Sequence, residues 1–345
     1  MTRHRIALVG LGMAVTPHVK SLLDLHDRAD VVRALSPSEA RRKSFASRFS
    51  FPVTDSLEAI LADRSIGAVA VLTPPNTHLE IVTQLAKAGK HVLLEKPLDV
   101  TTARAEALVA ACREAGVRLG VVLQHRFKPA AEQLATLLRA GALGAIVSCS
   151  ASIRLWRPQS YYDEPGRGTR ARDGGGVLMT QAIHTLDLML SLAGPVAEVR
   201  AYAATTPVHR METEDLVCAA VRYASGALGT IEATTAAYPG TPERIDLAGT
   251  RGTASLVGTG LSVAFDNGRR EEVPPEATPG GSGANPMDFP HHYHLGVWRD
   301  FLDAIERGRP PRVSGAEALK VHRLIDALLE SAATGRAVAV SRPTG

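Results

Sequence analysis

Short continuous apolar runs alternate with longer amphipathic segments over the first third of the chain. The runs IALVG, DVVRAL, GAVAVLT, KHVLLE and RLGVVL, between Ile6 and Leu123, have the length and apolarity of strands buried on both faces. Between them, residues 14–26, 38–49, 76–89 and 101–115 place apolar side chains at helical spacing. The last of these opens on Thr101-Thr102 and ends at Gly116, a start and a stop signal. Strand–helix alternation predicts an α/β domain over residues 1–124, a doubly wound parallel sheet of Rossmann type.

Beyond residue 125 the texture changes to alternating patterns, SCSASIRLW, AEVRAYAAT, DLVCAAVRYASGALGTIEATTAA and GTASLVG, which predict longer antiparallel strands. Ser225-Gly226 sits between two such runs and reads as a hairpin turn. Helical spacing covers residues 177–193, 294–307 and 315–333, and the Pro- and Gly-rich residues 274–290 read as a loop. Residues 125–345 therefore form a second, α+β domain on a large open, mostly antiparallel sheet. An open sheet leaves one face free, which predicts a homodimer or homotetramer joined through it.

Composition narrows the partners. The 345 residues are 45% hydrophobic and carry a formal charge of only +4 with 4% aromatics, so no basic-aromatic footprint for nucleic acid exists. No apolar segment is expected to reach membrane-spanning length, so no membrane partner is expected. Cys112, Cys149 and Cys218 are odd in number and lie far apart in apolar or small-residue surroundings, which predicts reduced thiols packed in cores and a cytoplasmic chain.

Three places carry candidate chemistry. The first strand runs into VGLGMAV, where Gly10 and Gly12 permit a tight turn and close approach of a pyrophosphate to the next helix N-terminus; Val15 stands where a third Gly or Ala is usual. At the end of the second strand, where a carboxylate would bind an NAD ribose, the sequence has Ser36, followed by Arg41 and Arg42, a set that favours a 2′-phosphate. The run HVLLEKPLDV ends in Glu95-Lys96-Pro97, which puts a lysine at the carboxyl edge of the sheet, restricted to extended backbone by the proline.

The glycine turn, TPPNTHLEI (residues 73–81) and Glu95-Lys96-Pro97 together resemble the Gfo/Idh/MocA family of oxidoreductases. LQHRFKPA resembles that family's crossover segment, and DGGGVLMTQAIHTLDLML its active-site helix, so the resemblance covers nearly the whole chain. It implies cofactor contacts at Gly10, Gly12, Met13, Ser36, Arg41, Thr73, Pro74, Asn76, His78, Glu95 and Lys96, and catalytic roles for Lys96 and His184. The family commonly has an Asp four residues before the histidine; here Thr180 stands there. Thr180, His184 and Asp187 at i, i+4 and i+7 would share a helix face, with Ile183, Leu186 and Leu190 as the apolar stripe.

The loop before that helix supplies Trp156, Arg157, Tyr161, Tyr162, Arg167 and Arg172, groups suited to a polyol or sugar. Arg126, Arg157, Tyr162, Thr180 and His184 are the expected substrate contacts. The histidines of HHYH, residues 291–294, have no carboxylate or thiol placed with them, so no metal is expected. The resemblance implies hydride transfer between NADP(H), or NAD(H), and a secondary alcohol or ketone of a sugar, sugar derivative or cyclitol, with Lys96 as general acid/base. The alternatives are a reductase of a non-carbohydrate carbonyl or dihydrodiol, and a dinucleotide-sensing regulator without turnover.

Overall fold

The computed structural model describes residues 3–276 and 290–341; of the loop expected over 274–290, residues 277–289 lie outside them. The chain divides into two compact units, Met1–Gln124 with Pro290–Leu319, and His125–Phe289 with Lys320–Gly345.

The first unit contains strands β1 (His4–Val9), β2 (Ala29–Leu35), β3 (Val53–Thr54), β4 (Ala68–Val71), β5 (His91–Leu94) and β6 (Leu119–Val121). They form one parallel sheet in the order β3-β2-β1-β4-β5-β6. Between them run α1 (Val15–Asp24), α2 (Glu39–Ala46), α3 (Glu58–Leu61), α4 (His78–Lys87) and α5 (Thr102–Glu114). Every residue of β4 is buried, as are Ile6 to Val9 and Val92 to Leu94, because helices cover both faces of the sheet. The strand order reverses between β1 and β4, so the carboxyl ends of these strands border the crevice where a doubly wound sheet binds nucleotides. α5 begins where Thr101 Oγ1 accepts the Arg104 amide and ends at Gly116, whose φ is 68°. β3 escaped the sequence reading because a two-residue strand has no measurable period.

The second unit opens with α6 (Pro129–Arg139), β7 (Ile146–Arg154), α7 (Gln159–Tyr162) and α8 (Arg170–Asp173). A π-helical turn, Leu178–Ala182, then runs into α9 (Ile183–Ala193). Next come β8 (Val196–Ala204), β9 (Leu216–Tyr223), β10 (Leu228–Thr234), β11 (Arg244–Gly249), β12 (Gly252–Val257), β13 (Gly260–Phe265) and β14 (Arg270–Val273). The remaining elements are α10 (His292–Glu306), α11 (Gly315–Thr334) and β15 (Val338–Ala339), which closes the second sheet.

That sheet has the order β14-β13-β12-β11-β7-β10-β9-β8-β15 and is antiparallel except for the β10–β7 pair. Its β9–β10 hairpin turns at Ser225-Gly226 as expected, with Gly226 at φ 91°. Burial alternates along β9, and Val147, Tyr202 and Leu228 on neighbouring strands remain exposed. The alternation also corrects the expectation for Cys218, which falls on an outward position of β9 and is exposed. Cys112 and Cys149 are buried as expected, and burial pushes their thiols up to about 12 and about 11.

Two further expectations are corrected. One helical stretch, Arg170–Ala193, is long and apolar enough to cross a membrane by length and composition, although 78% of its most apolar window is buried inside the protein. The second domain is also not continuous from 125 to 345, because Pro290–Leu319 belongs to the first unit. Trp298 and Phe301 of α10 are almost wholly buried there, Phe301 sits against Gly120, and the Val121 amide donates to the Val313 carbonyl at 2.9 Å. Chain order suggested one assignment; the apolar face of α10 found its complement in the other unit.

Candidate active site

In the first unit the candidate residues gather at the carboxyl edge of the parallel sheet. Gly10 follows β1 with φ 105°, and a Cβ there would stand 2.7 Å from the Leu72 carbonyl carbon, so β1 and β4 can end this close together only with glycine. A Cβ at Gly12 would meet nothing within 4 Å, which leaves its backbone open to approach from outside. α1 then begins at Val15 without a side-chain cap; the Val15 amide turns back to the Gly12 carbonyl at 3.3 Å and Pro17 carries no amide hydrogen, so an anion here would be favoured by the helix's positive end more than by a row of free amides. Met13 is exposed beside this turn.

Ser36, at the end of β2, is buried, and its Oγ accepts the Ser38 amide at 3.3 Å. Ser38 in turn caps α2 by accepting the Arg41 amide. Arg42 donates to the Ser36 and Pro37 carbonyls at 2.6 and 3.1 Å, which holds the loop; Arg41 is exposed and has no ion pair among the described residues. A tight glycine turn and a helix start without a side-chain cap on one sheet edge fit a dinucleotide.

After β4, Thr77 Oγ1 donates to Thr73 Oγ1 at 2.8 Å, while Pro74 and Asn76 are exposed. His78 departs from its expected role. It is fully buried, with Nε2 2.9 Å from the Thr73 carbonyl and Nδ1 3.1 Å from the carbonyls of Pro97 and Leu98. Burial lowers its pKa, and the ring ties the loop after β4 to the loop after β5.

Glu95 and Lys96 follow β5, and the Lys96–Pro97 peptide is cis. Glu95 Oε2 accepts the Lys96 amide at 3.1 Å, and Oε1 lies 2.9 Å from His18 Nε2 on α1. Trp298 Nε1 on α10 donates to His18 Nδ1 at 3.1 Å. An indole nitrogen is only a donor, so Nδ1 accepts, and Nε2 carries the hydrogen that goes to Glu95. The donor atoms of His18, Glu95 and His294 lie within 4.8 Å of one another, close enough for a cation by distance. The Trp298 and Glu95 bonds already use both nitrogens of His18, so the cluster is a hydrogen-bonded chain. Glu95 and the histidines of 291–294 were noted in sequence, but their meeting with His18 and Trp298 was not visible there, because the members come from three distant elements.

The second unit carries the other candidates. Gly176, the last of the glycine triplet before α9, is explained by Glu214, whose carboxylate accepts the amides of Gly176 and Leu178 at 3.2 and 3.3 Å. Burial raises the Glu214 pKa, against the pull of those amides. Thr180 Oγ1 has one hydrogen and two acceptors in reach, the Gly176 carbonyl at 2.7 Å and the Gln181 side-chain oxygen. Because Leu178–Ala182 is a π turn, Thr180 and His184 are not one ideal α-helical turn apart as expected. His184 is half-buried, its ring 5.0 Å from that of His125. His125 Nδ1 lies 3.5 Å from a Glu243 carboxylate oxygen and 3.5 Å from Thr185 Oγ1. With Lys128 these residues line a cavity of about 20 Å³, room for one water.

Three expected substrate contacts, Arg126, Tyr162 and Arg157, have partners inside the second unit. Arg126 forms a bidentate pair with Asp187, at 2.7 and 2.6 Å, in which the carboxylate is 1% exposed; Asp187 therefore joins this pair and not an open polar face. Tyr162 is buried, with its hydroxyl 2.7 Å from Thr235 Oγ1. Arg157 is 3% exposed and donates to the Trp156 carbonyl. Tyr161, by contrast, is half-buried: Gln181 donates to its hydroxyl at 3.3 Å, and the Arg167 guanidinium lies 4.1 Å from its ring centre. Adjacent tyrosines differ here only in which way the α7 backbone turns them, which no sequence period records.

A doubly wound sheet with this edge, joined in one chain to an open-sheet domain carrying a histidine helix, defines a nicotinamide-dependent oxidoreductase. Residues 4–123 match the oxidoreductase family with NAD-binding Rossmann fold, Gfo/Idh/MocA, and residues 131–255 match a Gfo/Idh/MocA C-terminal domain. The D-xylose 1-dehydrogenase (NADP(+)) 2 of Haloferax volcanii is 30% identical over 338 residues, 96% of this chain and 98% of that protein. The myo-inositol 2-dehydrogenase of Thermotoga maritima is 26% identical, covering 91% of each chain. The structure of the WlbA dehydrogenase from Bordetella pertussis, in complex with NADH and UDP-GlcNAcA, superposes with a TM-score of 0.84 at 29% identity, over 99% of this chain and 100% of that one. The chain belongs to the Gfo/Idh/MocA family of oxidoreductases.

Proposed function

We propose that the chain is an NADP(H)-preferring enzyme that interconverts a secondary alcohol and a ketone of a sugar, sugar derivative or cyclitol, with Lys96 as general acid/base. The observation that carries this reading is the placement of Lys96: it follows β5 on the sheet edge that bears the Gly10 turn and Ser36, with its backbone amide bonded to the Glu95 carboxylate. A nicotinamide bound at that edge supplies the hydride acceptor or donor. Gly10, Gly12 and the start of α1 hold the pyrophosphate, while Ser36 and Arg41 hold the 2′-phosphate.

In the oxidative direction Lys96 takes the proton of the reacting hydroxyl, and in the reductive direction it returns one to the carbonyl oxygen. His184 assists that transfer. Relatives named for xylose and inositol support a carbohydrate-like substrate. Cofactors differ among them, NADP(+) in the name of the Haloferax enzyme and NADH in the WlbA complex, so the preference here rests on Ser36 and Arg41. The exposed Val147, Tyr202 and Leu228 of the open sheet support a homodimer or homotetramer, and the buried thiols of Cys112 and Cys149 suit a reducing, cytoplasmic setting.

The test is a panel of sugars, sugar acids, inositols and nucleotide sugars, assayed with both cofactors at the reduced nicotinamide band, followed by Lys96→Met on the best substrate. Loss of one general acid/base lowers kcat by roughly 10²–10⁴-fold with folding intact. Turnover within about threefold of native would remove Lys96 from the chemistry.

A further inference from the structure

The acid/base reading of Lys96 does not use the buried chain behind it. We propose that His18 is a positioning residue of the active site: with its ring oriented by the Trp298 indole, it holds the Glu95 carboxylate beside the Lys96 amide and so maintains a negative charge next to the lysine's ammonium. This rests on the proposed role of Lys96.

His18 is fully buried on α1 and makes the 2.9 Å bond to Glu95. Trp298, also fully buried, fixes which nitrogen of His18 bears hydrogen. Glu95 thus receives one N–H from His18 and one from the Lys96 backbone, on different oxygens. The titratable and charged groups acting on its carboxylate are His18 from α1, His294 from α10 and the adjacent Lys96. His294 stays neutral near pH 7, since burial pushes it down to about 3, and its neighbour His291 is bonded to Asp24 at 2.8 Å.

Burial by itself would raise the Glu95 pKa. Donation from His18 and the attraction of the Lys96 ammonium outweigh burial and leave it below the usual carboxylate range. Take away the His18 donor, and burial acts against a carboxylate with one bond fewer. A protonated Glu95 no longer favours the charged lysine, so the Lys96 ammonium should lose its proton at lower pH.

The experiment measures Lys96 itself, on the whole chain without cofactor, by competitive acetylation with acetic anhydride across a pH series, with the Lys96 peptide read by mass spectrometry. Only the uncharged amine reacts. The reactivity midpoint should fall by about one pH unit or more in Glu95→Gln and in His18→Leu, and stay near native in His18→Gln, which keeps an N–H donor. An unchanged midpoint in His18→Leu overturns the role of His18, and an unchanged midpoint in Glu95→Gln overturns the coupling altogether. Should His18→Leu fail to fold, the ¹⁵N spectrum of the native chain decides: His18 must show a bare Nδ1 and a protonated Nε2, and the reverse tautomer overturns the proposal. Labelling does not depend on turnover, so this result and the Lys96→Met assay can fail separately.

Discussion

Glu214 and Gly176 lock the entrance to the histidine helix from both sides: the Glu214 carboxylate accepts the Gly176 amide at 3.2 Å, and the Glu214 carbonyl oxygen lies 1.9 Å from where a Cβ on Gly176 would stand. The glycine is therefore required by close backbone approach, at a φ that needs no left-handed conformation. Gly176→Ala should cost about 3 kcal/mol, because the strained neighbour is backbone and cannot rotate away. Urea unfolding measures this; a midpoint equal to native would mean that the turn opens without cost.

The Arg126–Asp187 pair predicts a different kind of loss. Breaking a buried pair by removing one partner leaves a charge without compensation, typically 3–5 kcal/mol. Arg126→Met should thus lower stability by about that much, and Arg126→Met with Asp187→Leu should recover part of it. If the single variant keeps native stability but loses substrate affinity, Arg126 is a substrate contact after all.

Acid should destabilise the fold through its buried neutral histidines. Burial pushes His322 on α11 down to about 4 and His294 to about 3, from an ordinary value near 6.5. A depressed folded-state value means that the unfolded chain takes the proton first as pH falls. The stability is full above pH ~6.5 and is lost progressively down to about pH 4 for His322, amounting to about 2 kcal/mol by pH 5. His322→Leu should flatten the fall in unfolding free energy between pH ~6.5 and ~5; the same slope in variant and native chain would clear His322.

Cofactor choice is tested at Arg41, which is exposed and has no ion pair among the described residues. A charge-assisted contact to a 2′-phosphate contributes about 1.5–3 kcal/mol, so Arg41→Ala should weaken NADPH binding roughly ten- to a hundredfold and leave NADH nearly unchanged. Calorimetric titration with each cofactor reads both numbers. Equal affinity of the native chain for the two would count against the phosphate reading.

His184→Ala should depress turnover while sparing cofactor affinity, since the histidine belongs to the second unit and the dinucleotide edge to the first. Its half-buried ring lies against that of His125, 5.0 Å away and tilted by 32°, so some thermal stability should go too. Normal turnover per folded molecule, with only the stability lost, would make it a packing residue.

Wherever burial on both faces wrote a continuous apolar run, as at Ile6–Val9 and Val92–Leu94, the strand was legible from sequence, and Thr101 and Gly116 marked the bounds of α5. Gly10, Gly12, Ser36 and Lys96 were legible for the same reason: each stands at a fixed offset from such a strand end, and the offset places it on the sheet edge. Tertiary structure alone decided what depends on partners distant in the chain. It sent Tyr162 and His78 into the interior, paired Arg126 with Asp187, put Glu214 under the glycine triplet, and brought α10 back so that Trp298 could fix His18. Periodicity reports which face of an element is covered, whereas a hydrogen bond between residues 280 positions apart depends on what covers it.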